Sequence, residues 1–363
     1  MKHALLVVAA LTTVGISGCD DDEDGPPAAT QTIWEIVQGD DNLSMVEEQL
    51  IAAGLDDQLD ADGANLTLFA PSNAAMETLL STLGLDNFSS ISEQVTQAVL
   101  AYHVANSEHL SSALTNGAAL TTLQGEQIMV VTTTTGEKTL DTGATSNSKV
   151  TTADRDATNG VVHVVDVVLV PPTIGDLIVS TLGTVLQPIL LGSDFTTLSG
   201  GLQMANAYAE DEGLPTLTEI LLNEAPGTED FLYTVFAPTN ATFEALLEDE
   251  ILDSDTLTGE EWYGIISHHV VADEVTYGGT DDYAQGGQFN TLATATSTRK
   301  LTVLATNAPP DQANGIMTGI VIDSNGDTTP EAQIAVLDVL TATGANPAQN
   351  GIINVIAGFL SPM

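Results

Sequence analysis

This chain writes one structural programme twice. Thr67-Leu-Phe-Ala-Pro-Ser-Asn-Ala-Ala-Met76 is a short β-prone run, a proline that breaks it, and capping residues ahead of a helix. Tyr233-Thr-Val-Phe-Ala-Pro-Thr-Asn-Ala-Thr-Phe243 repeats it, with Thr234 standing 167 residues after Thr67. An internal repeat of this kind calls for two similar folded units in place of one large core. The length of 363 residues and a hydrophobic content of 43% supply material for both. In the first copy Ser72 or Asn73 is expected to cap a helix beginning at Ala74, with Glu77 in its first turn. Met76, Leu79 and Leu80 fall at helical spacing and recur as Phe243, Leu246 and Leu247, which marks them as core positions.

Two further elements recur in the same order. Leu100-Ala-Tyr102-His103-Val104 returns as Ile266-Ser-His268-His269-Val270. Asn159-Gly-Val-Val-His163-Val-Val-Asp166-Val-Val-Leu-Val-Pro171 returns as Asn350-Gly-Ile-Ile-Asn354-Val-Ile-Ala357-Gly-Phe-Leu-Ser-Pro362. The nearly continuous apolar run reads as a buried strand, entered by an Asn-Gly turn and stopped by proline. Side chains three apart on a regular strand face opposite ways, so His163 and Asp166 read as two separate hydrogen-bond anchors and not as a catalytic pair. Strands are also expected at 127–133, 139–141 and 149–152, with a turn at Gly136, and in the second copy at 300–304 and 319–322.

These three elements resemble the signature motifs of the fasciclin domain, in the family's order and in both halves. The residues carrying the resemblance are Thr67, Phe69, Pro71, Asn73, Tyr102, His103, Asn159, Gly160, His163 and Asp166 in the first copy, and Phe236, Pro238, Asn240, His269, Asn350 and Gly351 in the second. The resemblance implies an α+β fold of two tandem fasciclin-like domains, each a compact β-wedge flanked by helices. The hexad Thr173-Ile-Gly-Asp-Leu-Ile178 matches Thr32-Ile-Trp-Glu-Ile-Val37, which gives domains at 32–172 and 173–363 joined by a linker of one or two residues at Pro171-Pro172. The second is longer, with the excess expected within 180–211 and again between Ala305 and Pro347.

Ahead of the repeats, Lys2, an apolar stretch from Ala4 to Val14 and Gly15-Ile-Ser-Gly-Cys19 have the layout of a secretory signal peptide over residues 1–18. Ile16-Ser-Gly-Cys19 resembles a bacterial lipobox, which makes Cys19, the single cysteine, the site of lipidation. The acidic run Asp20-Asp-Asp-Glu-Asp24-Gly-Pro-Pro27 then reads as a solvated tether, spanning 19–31 with its anchor. Several acyl chains on one residue anchor stably where a single chain does not. The formal net charge of −44 excludes nucleic acid as a natural partner and disfavours an anionic membrane surface. It suits a salty medium, hence a marine or halotolerant bacterium, with cation binding by acidic clusters as the other reading.

The candidate chemistry is sparse. His103, His163 and His269 read as core histidines bonding buried backbone groups, and His109 as exposed. The adjacent rings of His268 and His269 diverge on a helix and cannot chelate one ion without outside ligands. The second copy replaces His163 with Asn354 and Asp166 with Ala357, so a function built on that pair would be absent from one half. Asp323-Ser-Asn325-Gly-Asp327 begins like a calcium loop, but Thr328 and Ile334 stand where Gly and Glu are required, leaving Asp323, Asn325 and Asp327 as weak calcium candidates. No nucleophile elbow, phosphate-binding glycine loop or HExxH motif is present, so neither an enzyme nor a cofactor is expected. The function expected is a non-catalytic adhesion or binding module on a lipid anchor in the bacterial cell envelope, facing an extracellular protein or polysaccharide. A carrier of an apolar small ligand and an envelope spacer are the alternatives. The aromatic content of 4% speaks mildly against a carbohydrate-stacking site.

Overall fold

A computed structural model describes residues 29–143, 147–182, 184–222, 233–249, 251–271, 288–295, 301–306, 320–323, 332–336, 351–358 and 360. The first unit opens with helices α1 (Ile33–Gln38), α2 (Ser44–Ala52) and α3 (Asp56–Asp60), then strand β1 (Leu66–Pro71), α4 (Asn73–Leu83) and α5 (Glu93–Tyr102). Strands β2 (Val104–Ala105), β3 (Ala119–Thr121), β4 (Gln127–Thr132), β5 (Lys138–Asp141), β6 (Ser148–Ala157) and β7 (Gly160–Val165) complete it. Helix α6 (Pro172–Thr181) leads to the second unit: α7 (Leu186–Leu191), α8 (Thr196–Glu212), α9 (Leu217–Leu222), β8 (Tyr233–Pro238), α10 (Asn240–Glu248) and α11 (Gly259–His268). Strands β9 (Val270–Val271), β10 (Gln288–Phe289), β11 (Leu301–Thr306), β12 (Ile320–Asp323), β13 (Ala332–Val336) and β14 (Gly351–Gly358) follow.

The sheets have one topology. In the first unit the order is β2-β1-β7-β6-β5-β4-β3, and in the second β9-β8-β14-β13-β12-β11-β10. The first motif strand lies parallel to the last one in each, pairing Phe69 with His163 and Phe236 with Asn354. A bridge between Ala105 and Thr122, repeated by Val271 and Thr291, brings the two ends of each sheet together into a closed wedge. Phe69, Tyr102, Leu120, Ile128, Val130, Leu140 and Val165 fill the inside of the first wedge. A second layer, including Ile33, Val37, Leu50, Leu68, Met76, Leu100 and Val162, packs the helices on its outer face. The second unit has its own core around Leu198, Leu202, Val235, Phe243, Trp262 and Ile353. Each fully buried side chain of this size contributes about 1.5–3 kcal/mol.

Several local expectations are corrected. Ser72 is the cap of α4, accepting from the Ala75 N–H, while Asn73 is already helical. The Asn73 amide instead staples the helix to the α1–α2 corner, accepting from Met45 N at 3.0 Å and donating to Asp41 O at 3.0 Å. Because α4 starts at Asn73, Glu77 lies beyond its first turn, and Glu244 does likewise in α10. Pro71 ends β1 within the strand, past the two residues that pair with β2.

The Asn staple also fixes the register of the repeat. Asn240 accepts from Thr197 N and donates to Ser193 O, so Ser193 and Thr197 correspond to Asp41 and Met45, and α7 corresponds to α1. The hexad at 173–178 therefore matches α1 in sequence only. It forms part of α6, whose Leu177 and Ile178 pack on the core of the first unit, so a helix stands where a linker of one or two residues was expected. The excess within 180–211 is helical: α8 has 17 residues where α2 has nine.

The junction is tightly bonded. Ser92 N donates to Leu191 O at 2.8 Å, Ile91 bridges Gly192, and the buried Gln187 amide donates to Leu83 O at 3.1 Å.

Candidate functional site

The β1–β7 pair places the motif side chains. Asn159, at the β6–β7 turn, is buried and spends its amide on three backbone groups distant in sequence. It accepts from Ile33 N at 2.8 Å and donates to Leu59 O at 2.8 Å and Ala61 O at 3.1 Å, so one side chain ties α1 and α3 to the sheet. Gly160 follows because nothing larger fits: φ is +147° and an added Cβ would sit 1.9 Å from Leu66 O. Its counterpart Gly351 opens β14 opposite Tyr233, and Asn350 lies outside the described residues.

Each unit then carries the same histidine clasp. His103, at the end of α5, uses Nδ1–H to donate to Val99 O at 2.7 Å, and its Nε2 accepts from Leu169 N at 2.9 Å. His269 does the same after α11, with Ile265 O at 2.9 Å and Leu360 N at 3.2 Å. The carbonyl and the amide together select one neutral tautomer. Burial drives the His103 pKa down to about 4 and that of His269 to about 3. Tyr102 points into the wedge and donates its hydroxyl to Gln127 O at 2.9 Å, and burial raises its pKa. His268, in the Tyr102 position, is buried with Nδ1 3.5 Å from the Thr291 hydroxyl.

His163 is the centre of a larger network. Its ring stacks on Phe69, with centroids 5.5 Å apart. Nε2 donates to His109 O at 2.8 Å and Nδ1 accepts from Asp154 N at 3.1 Å. Burial, opposed by the His109 carbonyl and the Asp154 carboxylate, lowers its pKa. Asp154 sits at φ +57°, an uncommon conformation for a residue with a side chain, and its carboxylate accepts from both Ser111 N and Ser111 Oγ. Partial burial would raise the Asp154 pKa, but the two Ser111 donors outweigh it and the net shift is downward. Thr67 closes the circuit, donating to Ser107 O at 2.7 Å and accepting from His109 N at 2.8 Å. The loop after β2 is thus pinned to β1, β6 and β7.

His109 corrects the expectation of an exposed ring. It is half-buried, with Nε2 2.8 Å from the Ser107 hydroxyl. Sequence reasoning passed over Ser107, Ser111 and Asp154, because nothing in their local pattern announces partners 40 residues away for Ser107 and 43 for the Ser111–Asp154 pair. Asp166 faces away from His163, is exposed, and accepts from Lys149 N at 2.7 Å. The structure therefore does not bring His163 and Asp166 together.

Among the described residues there is no group of three or more His, Cys, Asp or Glu able to hold a metal ion. Asp323 ends β12, while Asn325 and Asp327, like Cys19, lie outside the described residues. An apolar slot of about 40 Å³ at the junction is lined by Met76, Leu83, Val99, Ile174, Ile178 and Leu191 among others. No helix among the described residues is long and apolar enough to cross a membrane.

Two helix-flanked, closed β-wedges in tandem, with one set of buried anchors written twice, define the class of protein. The fasciclin domain model matches residues 41–171 and again 216–362, and the chain belongs to the fasciclin family. It is 33% identical over 147 residues to transforming growth factor-beta-induced protein ig-h3 of Sus scrofa, a match covering 40% of this chain and 20% of the relative. It is 30% identical over 144 residues to human periostin, covering 39% of this chain and 16% of periostin. Protein sll1483 of Synechocystis is 30% identical over 145 residues, or 40% of this chain and 76% of that protein. The chain thus spans about a fifth of the length of the first of these relatives. A solved FAS1 domain pair of the insect cell adhesion molecule fasciclin I aligns over 88% of this chain and 97% of that one, with a TM-score of 0.31 and 19% identity.

Proposed function

We propose that this chain is a non-catalytic extracytoplasmic binding module of the bacterial cell envelope, acting by surface contact with an extracellular protein or polysaccharide. The observation that carries this is the commitment of the motif side chains. Thr67, Tyr102, His103, Asn159 and His163 are buried or half-buried and each bonds backbone of its own unit, so they build a scaffold and offer no group for chemistry on a substrate. In this reading residues 1–18 are a leader and Cys19 carries the acyl chains that hold the protein at a membrane. Residues 19–31 are the tether, and the two units follow it, joined through α6. The first unit, which keeps His163 and Asp166, presents the principal contact surface. The apolar slot at the junction, at about 40 Å³, is well short of the roughly 150 Å³ that accommodates a benzene-sized guest, which speaks against that slot as a carrier site.

The test is deletion of the gene, complemented by the full chain or by the Cys19→Ala variant, with surface attachment and cell aggregation measured with and without calcium. Attachment should fall on deletion and return only with the acylatable chain. Attachment that is unchanged by deletion would overturn the proposal.

A further inference from the structure

The repeat differs at one strand position: opposite the motif phenylalanine the first unit has His163, fully buried, and the second has Asn354. Beside His163, the register of β6 slips between Thr152, which pairs with Val164, and Arg155, which pairs with Val162. Asp154 falls in that slip, out of the ladder and at φ +57°. Its two polar groups therefore go separate ways. The backbone N–H donates to His163 Nδ1 at 3.1 Å, while the carboxylate accepts from Ser111 Oγ and from Ser111 N at 2.6 Å. One residue thus links a buried imidazole to a loop whose Leu110, Ser112 and Ala113 are exposed. The link holds only while Nδ1 keeps its lone pair. Nε2 already gives its proton to His109 O, so a second proton must go to Nδ1, where it meets the Asp154 N–H. Donor facing donor is repelled, and a cation this close to the Asp154 carboxylate attracts it.

We propose that His163 and Asp154 form an acid-operated latch on the first unit, in which protonation of Nδ1 turns the Asp154 carboxylate from Ser111 to the imidazolium and frees the loop at Ser111. The other ties of that loop do not pass through Nδ1. His109 O keeps its bond from Nε2–H, and Thr67 keeps Ser107 O and His109 N. Release is thus local to Ser111 and leaves the unit folded. Phe69 of β1 stacks on the ring and brings no charge, and the titratable groups acting on it are Asp154 of β6 and His109 of the loop. Burial holds the His163 pKa below the ordinary 6.5, so the latch is shut at neutral pH and opens in acid. Against partial burial, the Ser111 donors keep the Asp154 pKa below its own ordinary value, and the carboxylate stays charged as imidazoles titrate. Asn354 has no such proton to gain, so the second unit carries no counterpart of this ring. The latch does not depend on which partner the chain contacts, and it is tested on the purified chain alone.

The experiment is amide hydrogen exchange between about pH 7.5 and 5, corrected for the intrinsic rate at each pH. Opening at Ser111 N and Asp154 N should rise about tenfold on acidification, within the factor of roughly 30 that a freely titrating imidazole supplies over that interval. His109 N, held by Thr67, and Phe69 N, held by His103 O, should keep their protection. His163→Asn should remove the acid response, and His109→Gln should leave it in place. Ring-nitrogen resonances of the wild type supply a reading that needs no variant: the titration of His163 should share its midpoint with the change at Ser111 N. An acid response that survives in His163→Asn, or that follows the midpoint of His109 and disappears in His109→Gln, would overturn the proposal. So would equal loss of protection at Phe69 N, which would mean unfolding of the unit, or no response at Ser111 N at all.

Discussion

The paired histidine clasps make stability depend on pH in a way that can be worked from the geometry. In His103 the Nδ1 proton is already given to Val99 O, and the Nε2 lone pair receives the Leu169 N–H. A second proton would have to sit on Nε2, facing that N–H. The folded pKa of about 4 lies below the ordinary 6.5, so as the pH falls the unfolded chain takes the proton first. The stabilisation is complete above the unfolded value and is lost progressively as the pH drops towards 4. Between roughly pH 7.5 and 4.5 this amounts to roughly 2–3 kcal/mol, at about 1.4 kcal/mol per pKa unit. The acidic surface acts in the opposite sense, since protonating carboxylates relieves self-repulsion. The measurement is therefore a difference: urea unfolding of the wild type and of His103→Gln across that range, in a Trp262→Phe background so that Trp34 alone reports on the first unit. The gap in stability should narrow by roughly 2–3 kcal/mol on acidification. A gap that stays constant would refute the neutral, doubly bonded ring.

Asn159→Ala should cost about 3 kcal/mol in urea unfolding, because it strands the Ile33 N–H and removes the donor shared by Leu59 O and Ala61 O. Gly160→Ala should abolish soluble expression or cost more than about 4 kcal/mol, since the new methyl would overlap Leu66 O. Gln187→Ala should lower stability by about 1–2 kcal/mol through the stranded Leu83 carbonyl, and hydrogen exchange should rise on both sides of the junction. Raising sodium chloride from about 0.1 to 1 M should move the urea midpoint upward, because screening relieves repulsion in a chain of charge −44.

What was legible in the sequence was the part written locally. The strand-proline-helix motif, the strands around Gly136, the α+β class and the core histidines all follow from short-range pattern. What escaped depends on contacts across the fold. The hexad at 173–178 imitates α1 in sequence, yet only the Asn73 and Asn240 staples show that α7 is the true counterpart. Asn73 looked like a cap because Asn and Ser share that preference, and its partners at Asp41 and Met45 decide the matter. His109 stands in a polar loop that reads as solvent-facing, until Thr67 and His163 fold against it. The exposure of Leu247 was equally hidden, since its helical register is that of the buried Leu80.

The central claim is that the motif residues build the scaffold and that function resides in surface contact. The most direct test is His163→Asn, the residue that the second unit already carries at this position as Asn354. The variant should keep the native near-ultraviolet spectrum, lose about 1–2 kcal/mol of stability, and restore attachment to deleted cells as well as the wild type does. Lost attachment in a variant that is folded, acylated and present at normal levels would show that the imidazole itself takes part in function, and would contradict the account.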